Sequence, residues 1–270
     1  MDIVKNADNE KRSDFTVLAI DAARAAGAVH MRFFNGKYQI RTKQGPFDLV
    51  TDADIEAEKT VVSMIKERFP DHNILAEENK YDPTSSPYTW IIDPLDGTNN
   101  FACGVPLFGA SVALAYNGEV ISGAVYGAVH DEMYSAEKGK GARLNGRPIF
   151  VNKASTLRES MMVTGFYYDR GEAMEHTLEK MRVFLKKEII GIRRFGAAAL
   201  DLCYVAAGRI AGFWEFSLSP WDFAAGMLMV REAGGRVTTL HEDDLALDKK
   251  NYVVASNGRI HDTMLEILRA

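Results

Sequence analysis

Cysteine is scarce in this chain. Cys103 and Cys203 are the two among 270 residues, and they lie far apart, without CxxC spacing, among apolar neighbours. That excludes a disulfide framework or a thiolate metal cluster, and it predicts two buried, reduced thiols. The six histidines, His30, His72, His130, His176, His241 and His261, are scattered, and no pair has the spacing of zinc ligands. No apolar run approaches the roughly 20 residues needed to cross a bilayer, so no membrane partner is expected. The opening stretch MDIVKNADNEKRSD is polar and charged, which excludes a signal peptide and predicts a cytoplasmic protein. Positive charge is not in surplus either. Lys and Arg number 32 against 37 Asp and Glu, for a net charge of −5. Nucleic acids are bound through Lys/Arg patches, so no direct nucleic-acid contact is expected. Repeats, low-complexity segments and linkers are also missing, and a single domain over residues 1–270 is predicted.

What is present reads as an ordinary globular chain, 47% hydrophobic and 26% charged. Ser13 to Phe34 has helical spacing, with Phe15, Leu18, Ala22, Ala25 and Val29 on one side. DADIEAEKTVVSMIKERFP predicts a second helix, capped near Asp52 and stopped by Pro70. Ile74 to Ala76 and Trp90 to Asp93 read as short strands. Two β-rich runs flank Asn117-Gly118, a dipeptide suited to a two-residue hairpin turn, and residues 105–150 read as an antiparallel sheet. The second half alternates. MMVTG, RRFG, IAGFWE and VVAS read as strands. Residues 171–187, AAALDLCYVAAGR, Asp222 to Ala233 and the C-terminal stretch read as helices. Such alternation predicts stacked layers of sheet and helix.

The stretch WIIDPLDGTNNF carries the chemistry. Asp93 and Asp96 stand three residues apart at the end of an apolar strand, beside a proline and a glycine. Either they cap the turn, as Asp often does, or they share a cation. Oxygen-only donors without nearby Cys or His suit a hard ion, Mg²⁺ before zinc. Other acids also meet element ends: Glu77 and Glu78 after a strand, Asp54 and Asp222 in the first turns of helices, where a lone Asp is commonly a cap. Gly97-Thr98 could open a helical turn whose amides face a phosphate. A metal cluster beside an amide cradle suits phosphoryl transfer to water.

WIIDPLDGTNNF and WDFAAGMLMVREAGG resemble the two signatures of the inositol monophosphatases, a lithium-sensitive, magnesium-dependent phosphatase family, here in a bacterial style. The resemblance runs from about residue 14 to the end. It implies an αβαβα layered sandwich, a homodimer and two to three Mg²⁺ ions per site. It implies that Glu77, Asp93 and the Leu95 carbonyl hold one ion, that Asp93, Asp96 and Asp222 hold a second, and that Glu77 with water holds a weaker third. Thr98 and Asp54 would activate the attacking water, with Glu77 among the catalytic acids. Gly97 and Thr98 would donate amides to phosphate. Lys43, in RTKQGPFDLVTDAD, would lie on a loop over the site. Glu215 would bind hydroxyls of the leaving group, and Ala198 and Asp222 would touch substrate. Ala76, Asn99 and Ala197 depart from the commonest family residues; Ala76 adds only a methyl group, and Asn99 and Ala197 bear on substrate rather than chemistry. The resemblance implies hydrolysis of myo-inositol monophosphate. Its rivals are fructose 1,6-bisphosphate, histidinol phosphate and 3′-phosphoadenosine 5′-phosphate, or a regulatory role beside RNA polymerase.

Overall fold

The computed structural model describes residues 12–34, 36–43, 45, 48–166 and 170–270. The stretch read as excluding a signal peptide lies almost wholly outside them. The outer helices are α1 (Asp14–Phe34) and α2 (Asp52–Arg68). Between them β1 (Ile40–Thr42) and β2 (Leu49–Thr51) form a small antiparallel pair. A seven-stranded sheet follows, built from β3 (Asn73–Ala76), β4 (Tyr88–Asp96), β5 (Gly109–Tyr116), β6 (Glu119–Gly127), β7 (Glu132–Glu137), β8 (Ala142–Leu144) and β9 (Arg147–Ile149) in sequence order. The short α3 (Thr98–Ala102) leaves the end of β4.

A second, five-stranded sheet has the order β11-β10-β12-β14-β13, from β10 (Met161–Thr164), β11 (Gly191–Arg193), β12 (Gly212–Leu218), β13 (Arg236–Thr238) and β14 (Asn251–Ser256). Its helices are α4 (Glu172–Lys186), α5 (Ala198–Ala206), α6 (Pro220–Glu232) and α7 (His261–Arg269). Three apolar clusters define the layers. One joins α1 and α2 to the first sheet, and a second surrounds α5 and α6 between the sheets. The third lies under α4 and α7 on the second sheet. This is the expected αβαβα order.

β4 shows how period-two alternation serves both layers. Trp90 and Ile92 face the α1/α2 cluster, while Ile91 faces the middle layer. Asp93 continues the inward-facing set toward α6. The β5–β6 hairpin turns at Asn117 and Gly118, with φ of 49° and 79°, as the dipeptide predicts.

Several expectations shift. β4 runs through Pro94 to Asp96 instead of stopping at Asp93, because its pairing with β5 skips a register between Asp93 and Asp96. A bulge there frees the backbone from the ladder, which is where proline is tolerated in a strand. β11 ends at Arg193, so it lies ahead of most of RRFG. α6 starts at Pro220 with Ser219 as its cap. The β1–β2 pair and β13 carry too few residues to show a period. Cys203 is buried as expected, but Cys103 is exposed. It closes the five-residue α3 just before Gly104 and Val105, which are also exposed, so its apolar neighbours in sequence mark a surface turn.

Candidate active site

The bulged end of β4 gathers the first group of acids. Asp93 is 1% exposed, and its Oδ1 accepts from the Leu95 amide at 3.0 Å. Asp96 is held from across the core, where its two carboxylate oxygens accept from the Ala198 and Ala199 amides at 3.1 and 2.7 Å. α5 has no side-chain cap of its own, so Asp96 supplies one. Asp222 sits at the third position of α6, where its Oδ2 accepts from the Ser219 amide at 2.7 Å in a capping box. Ser111 Oγ donates to the Trp221 carbonyl at 3.3 Å and so ties the first turn of α6 to β5.

Lys43, just after β1, donates to Glu77 Oε1 and Glu78 Oε1, each at 2.7 Å. Burial alone would lower its pKa, yet the charges of both glutamates overcome that and raise it. The Glu78 amide in turn donates to Glu58 Oε2 at 2.9 Å, and Glu58 also accepts from Asn79 and Tyr81.

Thr98 and Asp54 meet as the sequence predicts. Thr98 Oγ1 lies 2.9 Å from Asp54 Oδ1 and 3.0 Å from the Leu95 carbonyl. The carboxylate is the stronger acceptor for its single proton. The other oxygen of Asp54 accepts from Thr51 N at 2.7 Å and Thr51 Oγ1 at 2.5 Å, so Asp54 also caps α2. Catalytic candidate and helix cap are the same carboxylate.

Gly97 stands at φ 90° between Asp96 and Thr98. A Cβ there would approach Leu107 O to 3.0 Å and Ala197 Cβ to 3.2 Å, so both strain and close packing require glycine. This contact brings the Gly97 turn against the start of α5, next to Ala198. Glu215 lies on β12, and a Cβ on Gly165 would fall 1.9 Å from its Oε2. Only glycine leaves room for that carboxylate.

The acids are electrostatically frustrated. Burial, then the charges of Glu77, Asp96 and Asp222, raises Asp93 well above the usual carboxylate range. Asp222 is raised in the same direction, by burial first and then by Glu77 and Asp96. Burial lifts Asp96 to about 7 against the pull of the α5 amides. Burial lifts Glu78 to about 8, with Glu77 adding to it and Lys43 opposing. Glu215 rises to about 8 by burial despite Arg194 nearby, and Asp54 to about 6 by burial despite its hydroxyl and amide donors. A hard cation is the partner such a set fits: the donors are oxygens, and each acid suffers from its neighbours' charge. Among the described residues no three acidic, His or Cys side chains stand at ligand spacing around one point. Glu77 is turned to Lys43, Asp96 to α5 and Asp222 to Ser219.

Sequence reading missed Thr51, Glu58 and the pairing of Glu78 with Lys43. Thr51 was findable as the start of T-x-x-D, a capping-box pattern. Glu58 carries no such signal, because its partners lie 20 to 23 residues away.

The inositol monophosphatase family model matches residues 11–270. An inositol-1-monophosphatase of Synechocystis is 41% identical over 94% of this chain and 88% of its own. A putative Nus factor SuhB of Neisseria meningitidis serogroup B is also 41% identical, over 95% of this chain and 98% of its own. Among solved structures, the extragenic suppressor protein suhB of Bartonella henselae superposes with a TM-score of 0.90. It is 38% identical and covers 95% of this chain and 99% of its own. A more distant relative, an IMPase/NADP phosphatase at 27% identity and a TM-score of 0.81, was solved with Mg²⁺ and phosphate, covering 92% of each chain. From motif to fold, the chain belongs to the inositol monophosphatase family of phosphatases.

Proposed function

We propose that this protein is a Mg²⁺-dependent phosphomonoesterase acting on myo-inositol monophosphate or a closely similar polyol phosphate. The observation that carries the reading is the buried Thr98–Asp54 hydrogen bond beside the frustrated acids of β4 and α6. Glu77, Asp93, Asp96, Asp222 and the Leu95 carbonyl would hold two to three ions. When bound, Mg²⁺ neutralises the phosphate dianion, lowers the pKa of water and steadies the leaving oxygen.

The chain's own residues supply the rest. Thr98 gives its proton to Asp54, which leaves its oxygen lone pairs to accept a proton from the attacking water. Asp54 is fixed on its far side by Thr51 and stays largely ionised at neutral pH, so it can receive that charge. Amides of Gly97 and Thr98 would meet the phosphate, and Ala198 would line the same cradle. Glu215, spaced by Gly165, would accept from hydroxyls of the leaving group, and that chemistry favours inositol over a leaving group without hydroxyls. Lys43 would offset charge at Glu77 and Glu78 until a cation takes its place. Assembly as a homodimer follows from the family resemblance, and light scattering tests it.

A regulatory role is the second reading, favoured by relatives named Nus factors. With a net charge of −5, such a role would run through a protein partner rather than RNA. One phosphate-release panel separates the substrates: inositol phosphate, fructose 1,6-bisphosphate, histidinol phosphate and 3′-phosphoadenosine 5′-phosphate, each across a Mg²⁺ titration with and without millimolar Li⁺. Highest kcat/KM on inositol phosphate, abolished by EDTA, is expected. Full activity in EDTA overturns the metal-dependent reading.

A further inference from the structure

His30 is fully buried on α1, yet nothing in the proposed chemistry uses it. Its Nε2 lies 2.7 Å from the carbonyl oxygen of Pro94. A carbonyl can only accept, so Nε2 carries the hydrogen and Nδ1 is a bare acceptor. That Nδ1 is buried without a hydrogen-bond partner. Burial pushes the ring down to about 4, so imidazole stays neutral and keeps this tautomer at physiological pH. The ring packs edge-on against Phe101 and Phe108, at 6.3 and 5.8 Å between centroids. In such surroundings an apolar side chain would fill the space without stranding a polar atom. The imidazole is therefore poorly explained as filler.

Pro94 lies inside the bulge between Asp93 and Asp96, where β4 is out of register with β5. The sheet ladder does not fix this turn, so other bonds must. One is local, the Leu95 amide to Asp93 Oδ1 at 3.0 Å, since the Thr98 hydroxyl beside the Leu95 carbonyl gives its proton to Asp54. The bond from His30 reaches across 64 residues from another layer. Successive carbonyls of an extended chain point to opposite sides. With the Pro94 carbonyl held toward α1, the Leu95 carbonyl faces the other way and lies 3.0 Å from Thr98 Oγ1.

We propose that His30 is a positioning residue: by donating to the Pro94 carbonyl it sets the peptide planes of the Asp93–Asp96 turn and so tunes the affinity of the site for a divalent cation. The inference rests on the metal-dependent reading above. Partners that orient metal ligands from outside typically change metal affinity by about 10–100-fold when lost.

The test is calorimetric titration of the metal-stripped full chain with Mg²⁺, for wild type, His30→Phe and His30→Gln, with melting in EDTA alongside. Phe keeps the volume and loses the donor, while the Gln amide can reproduce the Nε2–H. The expected result is a Mg²⁺ Kd raised about tenfold in His30→Phe and restored to within about threefold of wild type in His30→Gln. A purely structural role would move the melting temperature and leave Mg²⁺ affinity unchanged. Should His30→Phe not fold, His30→Met against His30→Gln carries the same contrast. Wild-type affinity in the donor-less variant overturns the proposal, and so does equal weakening in both variants. A wild-type protein that binds no Mg²⁺ overturns both this proposal and the reading beneath it. Normal wild-type binding with no contrast between the variants overturns this one alone.

Discussion

Among the described residues one local motif stands in three places, twice in the candidate site and once on the surface. Thr51 with Asp54, and Ser219 with Asp222, open α2 and α6 as capping boxes. Thr156 with Glu159 makes the same arrangement at the short turn Leu157–Glu159. Glu159 accepts from the Ser155 and Thr156 amides at 2.9 and 3.3 Å, much as Asp54 accepts from Thr51. Their acidities nonetheless move in opposite directions. Glu159 is exposed, and its amide and hydroxyl donors hold it below the usual range. Asp54 and Asp222 rise because burial outweighs the same kind of donors. The motif fixes where a carboxylate points, and burial decides whether it remains a cap or becomes a reagent.

The sharpest way to break that comparison is to remove charge while keeping the cap. Asn and Gln cap nearly as well as the acids. Asp222→Asn should lower kcat/KM by roughly 10⁴-fold or more, because several kcal/mol of charge stabilisation depends on it. Glu159→Gln should stay within about twofold. Steady-state phosphate release measures both, and a loss under tenfold in Asp222→Asn would return it to the company of Glu159. Next in size, Thr98→Ala and Asp54→Asn should each cost ~10²–10⁴-fold in kcat, with Mg²⁺ affinity near wild type. Because the two act as one unit, the double variant should be little worse than the worse single. Near-normal turnover in Asp54→Asn would make it a cap only. A lost Mg²⁺ site in that variant would make it a ligand.

A third comparison needs no mutation. In EDTA, Asp96 and Glu215 have folded pKa values of about 7 and about 8, above their unfolded range. A raised carboxyl pKa gives stability that is present below the unfolded pKa and lost as pH rises through the folded one. Between pH ~6.5 and ~8.5 the buried His30 and His261 stay neutral in the folded chain and lose only their residual charge in the unfolded one, an opposing effect under about 1 kcal/mol, so the acids dominate. The metal-free chain should lose on the order of 2 kcal/mol across that window, and Mg²⁺ should restore it. Melting curves at both pH values decide it, and a flat profile contradicts the buried-charge account. The smallest effect belongs to Glu215→Gln. Its KM for inositol phosphate should rise about fivefold, since one hydrogen bond is worth about 1 kcal/mol. The rise should be smaller for a phosphate ester without hydroxyls. Equal rises would show that Glu215 only packs.

Where the information is local, the sequence was readable. The two acids at the end of an apolar strand, the Asn117-Gly118 hairpin and the α6 acid each announce themselves within a few residues, although the bulge that carries β4 on to Asp96 does not. What stayed hidden is non-local. Nothing around Asp96 says that its carboxylate caps a helix 102 residues on, and nothing around His30 points to Pro94. Lys43 finds Glu77 and Glu78 from 34 and 35 residues away, a distance no local pattern spans. Cys103 was misread for the converse reason: its apolar neighbours sit at the mouth of a turn, and periodicity is blind in so short a helix.

The grip of Asp96 on the first amides of α5 has a mechanical meaning. Each Asp96 oxygen spends a lone pair on holding the first turn of the central helix, and a cation would draw on the same two atoms. A cation held by Asp96 would therefore be felt in the breathing of the innermost layer, and the Ala198 and Ala199 amides are where that coupling should be audible. Their rate of exchange with heavy water reports how firmly the carboxylate still holds them, far from solvent and without any substrate in sight.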